Sequence, residues 1–172
     1  MADLSGIARP SQLWKPLSPE RKLQAAAAFW NDDEASLEQA EATAYIAQRI
    51  KFRAKSVIAM AADRKARYLA SNPTVSELVA ARLLVAYHLA HQRPMMGSFL
   101  DALGVKHENG MIADEEMKAP EPARLKAAAT AIAGQYPADD VALYLCTLMW
   151  QDPETWGALA ESPESRAGSA RA

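Results

Sequence analysis

The feature that most constrains this fold is a helix that is apolar on nearly every side. Between Leu78 and Leu89 the apolar side chains surround the helix axis instead of forming one stripe, so little surface is left for solvent. A helix of this kind is stable only where other elements cover it, and we expect it at the centre of a helical bundle. Its apolar members are Leu78, Val79, Leu83, Leu84, Val85, Tyr87 and Leu89.

Start and stop signals flank this helix. Thr74 and Glu77 have the spacing of a capping box, in which the hydroxyl and the carboxylate each accept a free backbone N–H group. Arg93-Pro94 ends the helix, and the proline suits the first turn of a short second helix that reaches Leu103. Gly104 can then adopt the left-handed stop conformation. The segment from Thr74 to Leu103 is therefore predicted to form a central helical hairpin.

Proline and glycine divide the rest of the chain into further helices. Ser18-Pro19 begins a helix that ends near Trp30, and later helices begin near Pro122, Pro137 and Pro153. The segment 36–71 contains neither proline nor glycine, so it is one long helix or two helices with a break between residues 59 and 63. Asn109-Gly110 favours a tight reversed turn, which makes this stretch a loop or a minimal β-hairpin.

These patterns predict an all-α, single-domain bundle of six or seven helices with a central helical hairpin. A chain of 172 residues is long enough to bury a hydrophobic core without disulfides or structural metals. We expect residues 1–17 to be an extended lead-in, residues 18–162 to form the helical domain, and residues 163–172 to be a disordered tail.

Composition and charge narrow the function classes. The net charge of −2 gives no overall attraction to nucleic acid or to anionic lipid, so either activity needs a local patch. No stretch approaches the length of a membrane span, and the N-terminus lacks the pattern of a signal peptide. We therefore expect a cytoplasmic protein with no membrane partner. The single cysteine, Cys146, lies in an apolar run and is interpreted as a core residue.

A local patch exists in the segment 36–71, which carries the main basic cluster: Arg49, Lys51, Arg53, Lys55, Arg64, Lys65 and Arg67. One interpretation is a surface for an anion or for nucleic acid. The other is a pair of solvated rims, in which the long aliphatic stems cover apolar area. Charges on both flanks of a buried stripe are typical of any amphipathic helix, so we favour the second interpretation.

The three histidines are the candidates for a metal site. His88 and His91 are three residues apart and share a helix face, and a loop carrying His107 and Glu108 could fold back towards them. A divalent metal held by His88, His91, His107 and Glu108 is therefore one hypothesis. The structural alternative, which we favour, is that His88 and His91 interact with the negative end of the helix dipole. No cofactor is predicted.

Arg82 interrupts the apolar helix and needs a carboxylate partner unless it reaches water. Asp101 on the next helix and Glu108 in the following loop are the nearest acids along the chain after it. We expect Arg82 to form a structural ion pair with Asp101 or Glu108, which would fix the angle between the two helices.

The functional prediction is correspondingly general. The order helix, proline turn, short helix and Asn-Gly turn matches a winged helix-turn-helix, but residues 95–103 offer few side chains that could read bases. Phosphate loops, nucleotide fingerprints and catalytic elbows are missing. We expect a non-enzymatic binding or scaffold domain whose partner is a protein or a second copy of itself. A metal-dependent helical enzyme or sensor, using His88, His91 and His107, is the alternative, and a nucleic-acid-binding helix-turn-helix is the third.

Two predicted helix ends have weakly similar sequences: Phe29-Trp30-Asn31-Asp32-Asp33-Glu34 and Met149-Trp150-Gln151-Asp152-Pro153-Glu154. Two similar helix ends do not make a repeat architecture, because repeat proteins show a fixed period.

Overall fold

The computed structural model describes residues 4–113 and 117–166, and it is all-α with one minimal β-hairpin, as predicted. Seven of the described helices have nine or more residues, and the other four have four or five. The helices are α1 (Pro10–Trp14), α2 (Pro19–Trp30), α3 (Ser36–Ile50), α4 (Ala54–Ile58), α5 (Ala62–Ala70), α6 (Glu77–His91), α7 (Arg93–Leu103), α8 (Pro122–Ala133), α9 (Ala138–Gln151), α10 (Pro153–Trp156) and α11 (Pro163–Arg166). A 3-10 helix spans Gly157–Glu161, and the strands are β1 (His107–Glu108) and β2 (Met111–Ile112).

The apolar helix α6 lies at the centre of the bundle. It packs against α1, α2, α3, α7 and α9, and only Gln92 separates it from α7. Leu83 and Leu84 are fully buried. The central hairpin is therefore confirmed, and every long-range neighbour of α6 contributes to one hydrophobic core. No helix in the described ranges is both long enough and apolar enough to cross a bilayer.

The start of α6 differs from the prediction. Ser76, not Thr74, is the N-cap, and its hydroxyl accepts the Val79 N–H at 3.2 Å. Glu77 does not reach back to Thr74. Its carboxylate accepts the backbone N–H of Ser11 at 3.0 Å and the Ser11 hydroxyl at 2.5 Å. The capping-box residue therefore serves another helix, because α1 presents its free N-terminal donors beside the start of α6.

Both predicted end segments contain helix where none was expected. The lead-in 1–17 is not wholly extended, since α1 forms within it and buries Trp14 completely. The indole N–H of Trp150 donates to the Ala8 carbonyl at 2.8 Å and fixes this segment to α9. The predicted tail begins with α11, where the buried Ser165 hydroxyl lies 2.7 Å from the Leu159 carbonyl. The rest of that tail, residues 167–172, lies outside the described residues.

The segment 36–71 is three helices instead of one or two. The second break, at residues 59–61, falls within the predicted region. The first break is at Lys51, whose φ of 57° places it in the left-handed region. The Phe52 N–H donates to the Ala47 carbonyl at 2.9 Å, and this hydrogen bond closes a Schellman motif at the end of α3. Lysine occupies the position that glycine usually fills, and for that reason the sequence gives no sign of the break.

The turn at Asn109-Gly110 has the predicted form. Both residues have positive φ, at 49° and 82°, and β1 and β2 pair in the register His107 with Ile112 and Glu108 with Met111. A minimal antiparallel hairpin results, and it lies against α7.

We predict that Lys51→Gly raises the free energy of unfolding by about 0.5–1 kcal/mol. A side chain in the left-handed region costs about 1–2 kcal/mol, and the greater freedom of unfolded glycine offsets part of that gain. Urea unfolding followed by circular dichroism measures the change. Lys51→Ala is the matched control, because it removes the same charge but keeps the Cβ atom. Equal stability of the glycine and alanine variants would contradict the prediction.

Candidate functional site

A cleft of about 700 Å³ lies on the side of α6 where Val85 and Leu89 are only half-buried. The connection between α2 and α3 forms one edge, and the β-hairpin forms another. Helices α6, α7 and α9 supply the floor, and Trp156 of α10 adds a side. Val85 and Leu89 of α6 line the cleft and are only half-buried, unlike the residues on the covered faces of the same helix.

One end of the cleft is polar and contains Arg82. Its Nη2 atom lies 2.7 Å from Oδ2 of Asp32 and 3.6 Å from Oε2 of Glu34, both in the α2–α3 connection. The predicted pairing with Asp101 or Glu108 is wrong. Helix α2 packs along α6, and this packing brings acids from fifty residues earlier in the chain closer than those that follow. The buried Nε atom of Arg82 has no hydrogen-bond partner in the described structure.

His88 is buried in the cleft wall. Its Nε2 atom lies 3.2 Å from the hydroxyl oxygen of Thr147, and that hydroxyl donates to the Leu143 carbonyl at 2.7 Å. Because the Thr147 proton is committed to Leu143, Nε2 must be the protonated nitrogen of His88, and Nδ1 carries the lone pair. Nδ1 is buried and has no hydrogen-bond partner within the described residues.

The chemistry of His88 follows from its surroundings. Burial lowers the pKa of this imidazole from 6.5 to about 3, so the ring is neutral at physiological pH. The rings of Tyr87 and Tyr144 pack against it edge-on, each with its centroid 5.5 Å away. His88 is therefore a fixed, neutral group with one free acceptor, and it does not serve the helix end as a cation.

The structure does not assemble the proposed metal site. His91 is exposed and packs on Tyr87, whereas His88 is buried and bonded to Thr147. Glu108 is exposed on β1. In residues 4–113 and 117–166 no group of three or more His, Cys, Asp or Glu side chains is placed to hold a metal ion.

His107 joins the hairpin to α7. The Gly110 N–H donates to Nδ1 at 3.1 Å, so Nε2 carries the proton and donates to Asp101 Oδ1 at 3.0 Å. The ring also covers Gly97, where an added Cβ would lie 3.2 Å from Cε1. Both ring nitrogens of His107 are thus used in holding the cleft wall. Asp101, predicted as a partner of Arg82, belongs to this contact.

The opposite wall of the cleft is apolar. Met111 and Ile112 of β2, which are 47% and 40% exposed, line the cleft together with Met96 and Leu100 of α7. Gly110 allows the hairpin to approach α7 closely, because a Cβ atom there would lie 2.9 Å from Met96 Cβ. The cleft therefore has a charged end, a buried imidazole and an apolar wall.

Two other predictions can be compared with the geometry. Cys146 is a core residue as interpreted: it is buried, and burial raises the pKa of its thiol to about 12. Helix α7 would be the recognition helix of a helix-turn-helix, but Met95, Phe99 and Leu100 are buried and Ser98 bonds the Tyr136 hydroxyl. The exposed residues of this helix are Pro94, Asp101 and Ala102, and they offer no basic or amide side chain to a base edge or a phosphate.

Sequence reasoning did not locate this cleft, although one signal was present. The two similar helix ends, after Trp30 and after Trp150, both contribute to it: residues 31–34 form one edge, and Gln151 and Asp152 lie on another. Local capping explains part of the pattern, since Asp32 accepts the Glu34 N–H and Asp152 accepts the Thr155 N–H.

Comparisons of the chain with protein-family models, with curated proteins and with solved structures found no match.

We predict that Gly110→Ala lowers the free energy of unfolding by about 2 kcal/mol or more, because it adds left-handed strain to a clash with Met96. Chemical denaturation measures this loss. Gly6→Ala is the control: nothing lies within 4 Å of its added Cβ, so its effect should stay within about 0.5 kcal/mol. Similar effects of the two substitutions would show that the hairpin contact with α7 contributes little.

We also predict a pH dependence that originates in His88. Between pH 6.5 and about 3 the unfolded chain binds a proton at this residue and the folded chain does not. The free energy of unfolding therefore falls by about 1.4 kcal/mol per pH unit from this group as the pH decreases through that range. His88→Gln should remove this component, so its stability should fall less steeply with acid than that of the wild type.

Denaturation curves recorded at several pH values test this difference in slope. His91→Gln is the matched control, since it replaces an exposed imidazole on the same helix. Parallel pH profiles for His88→Gln and the wild type would contradict the assignment of a buried neutral ring.

Proposed function

We propose that the protein is a non-enzymatic binding domain and that its cleft receives a short segment of a partner protein. The observation that carries this proposal is the position of two buried polar atoms that lack hydrogen-bond partners: the Arg82 Nε donor and the His88 Nδ1 acceptor both belong to α6 residues that line the cleft. Buried polar atoms are normally hydrogen-bonded, so such a pair is expected where a ligand completes the bonding.

The separation of the two residues along the axis of α6 suits a peptide. Arg82 and His88 are six residues apart on one helix, which corresponds to about 9 Å along the axis. An extended peptide covers this distance with about three residues, and its backbone offers both C=O acceptors and N–H donors. Val85 lies between the two polar residues and gives the segment an apolar surface to cross.

The walls of the cleft indicate the chemistry of the segment. Met111 and Ile112 remain substantially exposed and would be covered by an apolar side chain. The rim carries Asp32, Asp33, Glu34 and Asp152 against two arginines, and Arg93 is committed to the Leu89 and Asn109 carbonyls. An apolar residue followed by lysine or arginine fits both features.

The other hypotheses fit the geometry less well. A metal-dependent enzyme or sensor would need His88, His91 and His107 to converge, and each has a different environment. A helix-turn-helix would need base-reading side chains at the exposed positions of α7, which are Pro94, Asp101 and Ala102. In a peptide-binding cleft, the bound peptide would give hydrogen-bond partners to Arg82 Nε and His88 Nδ1, which have none in the described structure.

The proposal predicts that selection from a displayed library of random short peptides enriches sequences with an apolar residue beside a basic one. Met111→Asp should weaken the selected peptides by at least about tenfold, because it places a charge on the apolar wall. Asp33→Asn combined with Glu34→Gln should weaken them by a few-fold, in a salt-dependent way. Isothermal titration calorimetry with the best peptide measures both effects.

Leu37→Asp is the matched control for Met111→Asp. Leu37 is 70% exposed on α3 and does not line the cleft, so this variant should bind as the wild type does. The proposal is overturned if no peptide is enriched, or if Met111→Asp retains wild-type affinity for the enriched peptides.

A further inference from the structure

We propose that a second surface, separate from the cleft, binds the headgroup layer of an anionic membrane. This surface, the basic patch, consists of Arg49, Lys51, Phe52, Arg53, Lys55 and Ile58. It comprises the end of α3, the left-handed turn at Lys51 and the short helix α4.

The charged side chains of this part of the sequence are almost all basic. Residues 49–67 contain seven basic side chains and one acidic side chain, Asp63. The structure gives the last three basic residues intramolecular contacts. Arg64 lies 5.9 Å from the Tyr68 ring centroid, Lys65 lies 4.5 Å from that of Trp30, and Arg67 pairs with Asp63 at 2.9 Å.

The first four basic residues differ from the last three. Arg49, Lys51, Arg53 and Lys55 are all exposed, and within residues 4–113 and 117–166 none of them lies in an ion pair with an acid. The exposure of these four residues is compatible with the expected solvated rims, and the structure adds that only the last three basic residues have partners within the protein. The first half therefore has four exposed cations within seven residues of the chain, and none of them is paired with an acid in the described ranges.

Apolar side chains project from the same segment. Phe52 is 50% exposed and Ile58 is 65% exposed, and in the sequence they lie on either side of Arg53 and Lys55. The local structure causes this exposure. The turn at Lys51 ends α3 and directs the chain outward, and α4 has only five residues, of which Val57 alone is buried.

These features favour a lipid surface over other anionic partners. An aliphatic side chain such as Ile58 cannot stack on a base, so only Phe52 of the two exposed apolar residues could contribute to binding a nucleic acid. Phe52 and Ile58 are exposed, and neither lines any of the described clefts. Projecting apolar groups between cations can insert into the soft boundary of headgroups and acyl chains, which needs no preformed shape.

The charge of the whole chain does not oppose this binding. A net charge of −2 predicts no long-range attraction, but a patch acts within a distance of about one Debye length, where four cations dominate the field. Each lysine or arginine near an anionic membrane strengthens binding by about fivefold. The patch therefore predicts reversible, salt-sensitive association and not permanent anchoring.

Sedimentation with vesicles tests this proposal on the full chain. Vesicles of phosphatidylcholine with phosphatidylserine should bind the protein, and vesicles of phosphatidylcholine alone should not. Lys51→Gln with Lys55→Gln should weaken binding by about 25-fold, and higher salt should weaken wild-type binding further. Phe52→Ser with Ile58→Ser should weaken it by about tenfold through the loss of apolar insertion. Thermal unfolding of each variant confirms that it is folded.

Lys106→Gln with Lys118→Gln is the matched control, because it removes the same charge from exposed positions outside the patch. It should bind vesicles within about twofold of the wild type. The proposal is overturned if anionic vesicles bind no better than neutral ones, or if the Lys51 and Lys55 variant binds as the control does. Tighter binding to single-stranded DNA that is unaffected at Phe52 and Ile58 would also overturn it and would assign the patch to nucleic acid. None of these substitutions touches the cleft, so their outcome is independent of the proposed peptide site.

Discussion

The burial of α6 is the constraint on which the rest of the structure depends. Each large apolar side chain that such a helix leaves in water forgoes about 1.5–3 kcal/mol of stabilisation. A helix that is apolar all round therefore requires neighbours on every side. Five helices supply them. The cover is incomplete where Val85 and Leu89 remain half-buried, and the cleft lies there. The candidate site thus lies on a part of the surface of α6 that the other helices leave open, while Leu78 at the start of α6 is exposed elsewhere.

Two polar residues on that open side have only part of their hydrogen bonding satisfied. Arg82 is paired through one nitrogen and His88 is bonded through one ring nitrogen, which leaves a donor and an acceptor without partners. Such groups oppose folding, since a buried polar atom without a partner costs about 1–3 kcal/mol. Buried polar atoms without partners also occur away from the cleft, for example at Trp14, Asn72 and Ser162, so it is the place of Arg82 and His88 in the cleft lining that makes them candidates for binding.

The sequence was a good guide wherever local chemistry decides the outcome. Ser18-Pro19 and Trp30 bound α2 as predicted, and Asn109-Gly110 forms the expected turn. The errors fell where distant residues compete. Glu77 was assigned to its own helix but caps α1, and Arg82 was assigned to acids that follow it but pairs with Asp32. Lys51 shows a third cause: a lysine in a glycine position has no recognisable local signal. The cleft could not be located for the same reason, because it combines residues from six parts of the chain.

The hydrogen bond from Trp150 to Ala8 also bears on how the chain reaches this structure. It joins residues separated by 142 positions, and α6 receives part of its cover from α9, which ends at Gln151. During synthesis the apolar helix therefore leaves the ribosome well before its last neighbour exists. At the usual rates of translation this interval lasts several seconds, far longer than a helix needs to form. Throughout that time a nascent chain of this protein can cover α6 with α1, α2, α3 and α7 but not with α9, so the α9 side of its most apolar helix stays open until the last third of the chain is made.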